Sequence, residues 1–265
     1  MIFLGIDIGS LSCDAVLIDE KKNILSSSVI PTGVNNMEAI ARVKKNVLDA
    51  SGIMEKDISS IISTGYGRTR VKERNGAVTE ITCHAKGIKH MIPGTRILID
   101  IGGQDSKAMR LDPDGNVVDF AMNDKCAAGT GRFLEAMARA LEVDINELGQ
   151  LDKGATSDLV LSSMCTVFAE SEVVSLIAGG TGQKEIAKGL NRAIAARTNS
   201  LVKRVAQDIS GLPVAMSGGV ARNKGVVKAI ARSMNIDKVH TPETPDITGA
   251  LGAAIIALEK TLQKG

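Results

Sequence analysis

Two stretches of the chain carry the same order of apolar and polar positions. Leu4 to Asp19 reads LGIDIGSLSCDAVLID, and Arg96 to Asp112 reads RILIDIGGQDSKAMRLD. Placing Asp7 on Asp100 also places Ile6 on Ile99, Ile8 on Ile101, Gly9 on Gly102, Ala15 on Ala108 and Asp19 on Asp112. Each stretch predicts an apolar strand that ends in an aspartate, a tight glycine turn and a returning strand. A hairpin written twice in one chain predicts two related halves facing one cleft.

The remaining pattern alternates strands and helices. A third strand is expected at 23–30, closed by Pro31. Met37, Ile40, Ala41, Val43, Val47 and Leu48 have helical spacing over 36–50, with a stop near Gly52. A strand at 58–63 runs into Thr64-Gly-Tyr-Gly-Arg68, and a short helix at 82–91 ends before Pro93-Gly94. The second half repeats three strands at 96–101, 105–111 and 116–122, then turns helical at 132–142, about 166–178 and about 183–208. A buried strand at 213–216 leads into Ser217-Gly-Gly-Val-Ala-Arg-Asn223 and a helix to about Met234. The last helix, about 246–262 with Asp246 as its N-cap, is studded with Gly249, Ala250, Gly252 and Ala253. Such small residues suit close packing against another helix where two lobes meet. The fold class expected is α/β, with an N-terminal lobe at 1–94, onto which the helix at about 246–263 packs back, and a C-terminal lobe at 95–245.

Composition narrows the function classes. With 265 residues and 44% hydrophobic content the chain has ample material for a globular core. A net charge of +2 without a basic tract, and aromatics limited to one Tyr and four Phe, argue against a nucleic-acid partner. No apolar run reaches the ~18 residues that span a bilayer, and no leader pattern opens the chain. No membrane association is expected, and the cytoplasm is the expected location. The four cysteines, Cys13, Cys83, Cys126 and Cys165, form no C-x-x-C pair. They are too few for a disulfide scaffold.

The candidate chemistry sits at the hairpin turns. Asp7 and Asp100 end apolar strands, where a carboxylate can hold a hydrated divalent cation. Gly9, Gly102 and Gly103 let backbone N–H groups approach an anion without a Cβ in the way. Ser10, Ser12, Gln104 and Ser106 add polar ligands. One D-x-G alone is an ordinary hairpin turn, whereas two copies with matched flanks predict a polyphosphate gripped from both sides. Ser217, Gly218, Gly219 and Asn223 form a third such element, strand to glycine pair to helix, read as the nucleoside side of the same cleft. Cys13 falls in a core strand, and Cys83, beside His84, reads either as core or as a ligand. For Cys126 and Cys165 spacing alone favours buried packing cysteines, although each precedes a helix whose positive end would stabilise a thiolate.

The duplicated D-x-G hairpins, the S-G-G-x-x-x-N turn and the small-residue C-terminal helix resemble the superfamily of acetate and sugar kinases, heat-shock chaperone ATPases and actin. Within it LGIDIGSLSCDAV, STGYGR, IDIGGQDSK, NDKCAAGTGRFLE, SSMCTVFAESEVVSL and SGGVARN resemble the ATP-dependent activators of 2-hydroxyacyl-CoA dehydratases, over essentially the whole chain. The related benzoyl-CoA reductase ATPase subunits share much of the pattern. The resemblance implies an actin-like ATPase that uses ATP and Mg²⁺ to drive one-electron donation to a dehydratase, with ferredoxin or flavodoxin as its own donor. It implies that Cys126 and Cys165 ligate a 4Fe–4S cluster. Such a cluster takes four thiolates, so the resemblance implies one cluster bridging a homodimer. Gln104 is then expected to position the attacking water, by analogy with glutamine in other nucleotide hydrolases, with Asp7 and Asp100 on the metal's water shell. Lowering a one-electron potential by 100 mV costs about 2.3 kcal/mol, which closure around ATP would supply. A permanent reductase subunit of the benzoyl-CoA type and a small-molecule kinase of the same fold are the alternatives.

Overall fold

The computed structural model describes residues 1–161 and 166–263. Contacts sort the chain into two units: Met1–Leu98 with Leu111–Val118 and the segment from Pro242 onward, and Ile99–Arg110 with Asp119–Thr241.

The repetition extends from the hairpin to a whole sheet. Strands β1 (Ile2–Ile8), β2 (Ser12–Ile18), β3 (Ile24–Pro31), β4 (Ile58–Thr64) and β5 (Gly76–Ala77) lie in the order β3-β2-β1-β4-β5. Strands β6 (Ile97–Ile101), β7 (Ser106–Leu111), β8 (Val117–Asn123), β9 (Val214–Ser217) and β10 (Val239–His240) lie in the matching order β8-β7-β6-β9-β10. Both glycine turns close with the same bond: Gly9 N–H donates to the Ser12 carbonyl at 2.9 Å, and Gly102 N–H to the Asp105 carbonyl at 3.1 Å. The turns into β3 and β8 also match. The Asp19 carboxylate accepts from the backbone and side-chain amides of Asn23, and the Asp112 carboxylate from those of Asn116. These bonds hold both carboxyls below the usual carboxylate range.

In the first unit β1 is apolar on both faces because both faces are covered. Leu4, Ile6 and Ile8 pack with Ala39, Ile40, Val43 and Val47 of α1 (Asn36–Ser51). Asn35 caps that helix, its side chain accepting from the Met37 and Glu38 amides, and Gly52 ends it at φ 69°. The opposite face, with Phe3, packs on α8 (Thr248–Leu262). Here the small residues act at backbone distance. A Cβ on Gly5 would fall 1.9 Å from the Ala250 carbonyl oxygen. Between α2 (Glu80–Met91) and α8, a Cβ on Gly87 would meet the Thr248 oxygen at 2.0 Å, and one on Gly252 the Cys83 oxygen at 1.8 Å. Asp246 is not the N-cap of α8: Pro245–Ile247 forms a separate tighter turn, and the helix begins at Thr248.

The second unit adds α3 (Gly131–Ala140), α4 (Ile145–Leu151), α5 (Thr166–Ala178), α6 (Gln183–Val202) and α7 (Lys224–Ser233). Helix α6 stops at Val202, short of the expected 208, where the bonds tighten to i, i+3 spacing: the Arg204 amide donates to the Leu201 oxygen at 3.2 Å and the Val205 amide to the Val202 oxygen at 3.0 Å. Helix α4 was outside the sequence expectation. Its seven residues are too short for a helical period to show, and Asp144 caps it by accepting from the Asn146 amide. Among the described residues no helix is long and apolar enough to cross a membrane.

Candidate functional site

In the first copy β1 carries Asp7 to its end, buried at 7% exposure. The antiparallel register sets Asp7 opposite Asp14, itself buried, and Ser12 donates its hydroxyl to Asp14 Oδ2 at 3.1 Å. Strand alternation turns Asp7 to the face that holds Phe3 and Gly5. His84 of α2 lies there, Nε2 3.5 Å from Asp7 Oδ2. The first turn of α8 lies there too, since a Cβ on Gly249 would fall 2.0 Å from Asp7 Oδ2 and 2.8 Å from His84 Nε2. The positive end of that helix favours a carboxylate. Gly65, after β4, takes φ +83°, and a Cβ there would fall 2.4 Å from Asp7 Oδ1 and 2.5 Å from the Ile8 oxygen. Two buried carboxylates in register make the end of this hairpin a place that favours a cation. Gly9, Ser10 and Ser12 share that turn, each half-buried.

The second copy keeps the backbone and changes the charge. Lys107 occupies the position of Asp14. Its Nζ lies 3.1 Å from Asp100 Oδ2 and 2.7 Å from Asp105 Oδ2, all three residues being buried. Ser217 donates its hydroxyl to Asp100 Oδ1 at 2.8 Å. Gly218 takes φ +81°, and a Cβ there would fall 2.4 Å from the Ile101 oxygen and 2.9 Å from Asp100 Oδ1. The Ser217–Gly218 turn is therefore the counterpart of Thr64–Gly65, and left-handed backbone is required in these turns rather than at Gly9 or Gly102. Gly102 and Gly103 are half-buried, with Gln104 exposed beside them, while Gly219 is exposed next to the buried Gly218. Asn223 caps α7, its Oδ1 accepting from the Val226 amide at 3.0 Å, and its buried Nδ2 has no hydrogen-bond partner among the described residues.

Cys126 is a free, exposed thiol on the turn between β8 and α3. That turn is bonded to the glycine pair. The Thr130 hydroxyl lies 2.9 Å from the Gly103 oxygen and 2.6 Å from the Ala127 oxygen. The amides of Gly131 and Arg132 donate to the Gly102 and Gly103 oxygens, each at 2.9 Å. The leading amides of α3 are thus directed at two carbonyls rather than at the Cys126 thiol. Cys165 lies outside the described residues. Cys13 and Cys83 are core residues whose thiols are pushed up to about 12, in both cases chiefly by burial. This assigns Cys83 to packing against α8. No group of three or more His, Cys, Asp or Glu gathers into a metal site among the described residues.

The model of the BadF/BadG/BcrA/BcrD ATPase family matches residues 4–257. The chain belongs to that family. The activator of lactoyl-CoA dehydratase from Anaerotignum propionicum is 45% identical, each chain covered in full. A solved structure of the activator of the 2-hydroxyisocaproyl-CoA dehydratase from Clostridium difficile, with bound ADPNP, superposes with a TM-score of 0.92 at 41% identity. That superposition covers 100% of this chain and 97% of the other. Component A of the (R)-2-hydroxyglutaryl-CoA dehydratase from Acidaminococcus fermentans gives 0.93 at 37% identity, covering 99% of both chains.

Several residues of this family member's site carried no signal of their own in the sequence. Lys107 and His84 are partners of the aspartates only because folding brings them there. Gly65 and Thr130 lie in STGYGR and NDKCAAGTGRFLE, two of the stretches that carry the resemblance, but neither had a role of its own. The duplicated register could have found Lys107, since it aligns with Asp14 once Asp7 is set on Asp100.

Proposed function

We propose that the chain is an ATP-driven one-electron donor that reductively activates a 2-hydroxyacyl-CoA dehydratase, through a 4Fe–4S cluster bridging a homodimer. The carrying observation is an exposed thiol, Cys126, in a chain similar from end to end to dehydratase activators. A soft thiolate suits iron–sulfur ligation. The Cys126 and Cys165 thiols are half of the ligand set, and a second copy supplies the rest. Helix α5, which begins just after Cys165, exposes Val167, Phe168, Val174 and Ile177. Such an apolar face suits burial against that second copy. When bound, the cluster supplies a low-potential electron.

The chain's own residues then divide the work. Asp7 holds magnesium through its water shell. Carboxylate oxygens fit this hard cation, and the facing Asp14 adds a second negative charge. Asp100 has a smaller share of the metal, because Lys107 and Ser217 engage both of its oxygens. The turns at Gly9, Ser10 and Ser12, and at Gly102 and Gly103, hold phosphates. Gln104 orients the attacking water from its exposed place on the second turn. Ser217, Gly218, Gly219 and Asn223 serve the nucleoside, with Asn223 Nδ2 as the donor left for it. The dehydratase is the electron acceptor, ferredoxin or flavodoxin the donor, and the cytoplasm the location.

Iron and labile sulfide are counted per dimer in protein prepared under strict exclusion of oxygen. About four of each per two chains is expected, and Cys126→Ser abolishes the visible spectrum while leaving the fold intact. A monomeric, colourless protein that still hydrolyses ATP would overturn this reading.

A further inference from the structure

Thr130 is completely buried, and its hydroxyl is within bonding distance of two carbonyl oxygens, Gly103 at 2.9 Å and Ala127 at 2.6 Å. A hydroxyl carries one proton, so the two carbonyls share it or compete for it. One belongs to the glycine turn after β6, the other to the turn that carries Cys126. We propose that Thr130 is the positioning residue that couples the state of the Gly102–Gly103 turn to the placement of Cys126. The inference rests on reading those glycines as phosphate-binding.

The linkage is short and has few free torsions. An anion that draws in the Gly103 and Gln104 amides rotates the peptide planes that also hold the Gly102 and Gly103 carbonyls, because each carbonyl shares its plane with the next residue's N–H. Three bonds follow that movement: Thr130 Oγ1 and Arg132 N–H to Gly103, and Gly131 N–H to Gly102. Release of the Gly103 oxygen leaves the Thr130 proton to Ala127, next to Cys126. The first copy supplies an internal comparison. There Thr32, buried after β3, donates its hydroxyl to the Gly9 oxygen at 3.0 Å, and its amide donates to the Leu11 oxygen at 2.9 Å. Both copies thus use a buried threonine after the third strand to hold the glycine turn. Of the two segments that follow a third strand, the one with Thr130 carries a cysteine.

The test uses the full chain, reduced and free of iron. Alkylation of Cys126 by iodoacetamide is followed by peptide mass spectrometry, with and without Mg²⁺ and a non-hydrolysable ATP analogue. Binding of the analogue is measured separately by calorimetry. The analogue is expected to change the Cys126 rate about fivefold, the shift one net hydrogen bond supplies, in the unmodified protein, in Thr130→Ser and in Thr32→Val. Thr130→Val binds the analogue, and its Cys126 rate does not respond. A full response in Thr130→Val overturns the inference and leaves the ATPase reading standing. So does an unmodified protein that binds the analogue without any change at Cys126. An unmodified protein that binds no analogue overturns both. Hydrogen exchange at the Gly131 and Arg132 amides gives the same readout without substitution: protection that does not change on binding overturns the inference.

Discussion

At the end of β1 an aspartate faces a second carboxylate across the ladder, Asp7 opposite Asp14. At the end of β6 the matching position holds Lys107, 3.1 Å from Asp100. Around this reversal the backbone is unchanged. Both hairpins close with the same glycine-turn bond, and both aspartates are approached by a glycine at positive φ. In both a buried threonine holds a carbonyl of the turn. Duplication preserved the device that presents backbone amides and let the charge diverge. One copy favours a cation, and the other neutralises itself with an internal ammonium.

The largest expected effects separate the two aspartates. Asp7→Asn lowers Mg²⁺-dependent ATP turnover about 100-fold, while stability against urea changes little, because relief of the repulsion from Asp14 offsets the lost attraction to the start of α8. Asp100→Asn instead costs about 1.5 kcal/mol of stability, because the buried Lys107 loses one of its two carboxylate partners and keeps Asp105. Equal stability losses in the two variants would break the comparison. A smaller effect sharpens it at the turn. The residue matching Gln104 in the first copy is Leu11, so Gln104→Leu makes the turns alike. It should slow turnover about tenfold, ~1.4 kcal/mol of barrier, at unchanged nucleotide affinity. A loss of affinity instead would remove Gln104 from the water-positioning role. The smallest effect tests what the copies share. Asp19 and Asp112 have depressed pKa values in the folded state, so the stability they add is present above the ordinary value near 3.8 and is lost as pH falls through the lower folded value. Asp19→Ala and Asp112→Ala should remove equal, small parts of that acid limb in pH-dependent melting. A clear difference between them would show that the two turns are not equivalent.

Much of this was legible in the chain. Strands buried on both faces read as continuous apolar runs, and the matched flanks of the hairpins exposed the duplication before any coordinates. Asn35 before α1 and Gly52 after it follow from capping chemistry that acts within a few residues. What stayed hidden depended on contacts between distant segments. His84 gives no local sign that it will stand against Asp7, and Thr130 none that its hydroxyl will reach Gly103. Cys126 showed the limit in another way: spacing alone favoured a packed thiol, and the structure leaves it exposed.

The sequence by itself determined the repeated strand–turn–strand plan, the aspartates at the strand ends and the α/β class, because these arise from local propensity and a short-range period. Only the tertiary structure decided which aspartate is neutralised, which glycines take left-handed backbone, and what the Cys126 turn is bonded to. Those outcomes depend on where a lysine ammonium, a helix end or a threonine hydroxyl arrives after long-range packing, and hydrogen bonds and ion pairs act only over the last few ångströms of that approach.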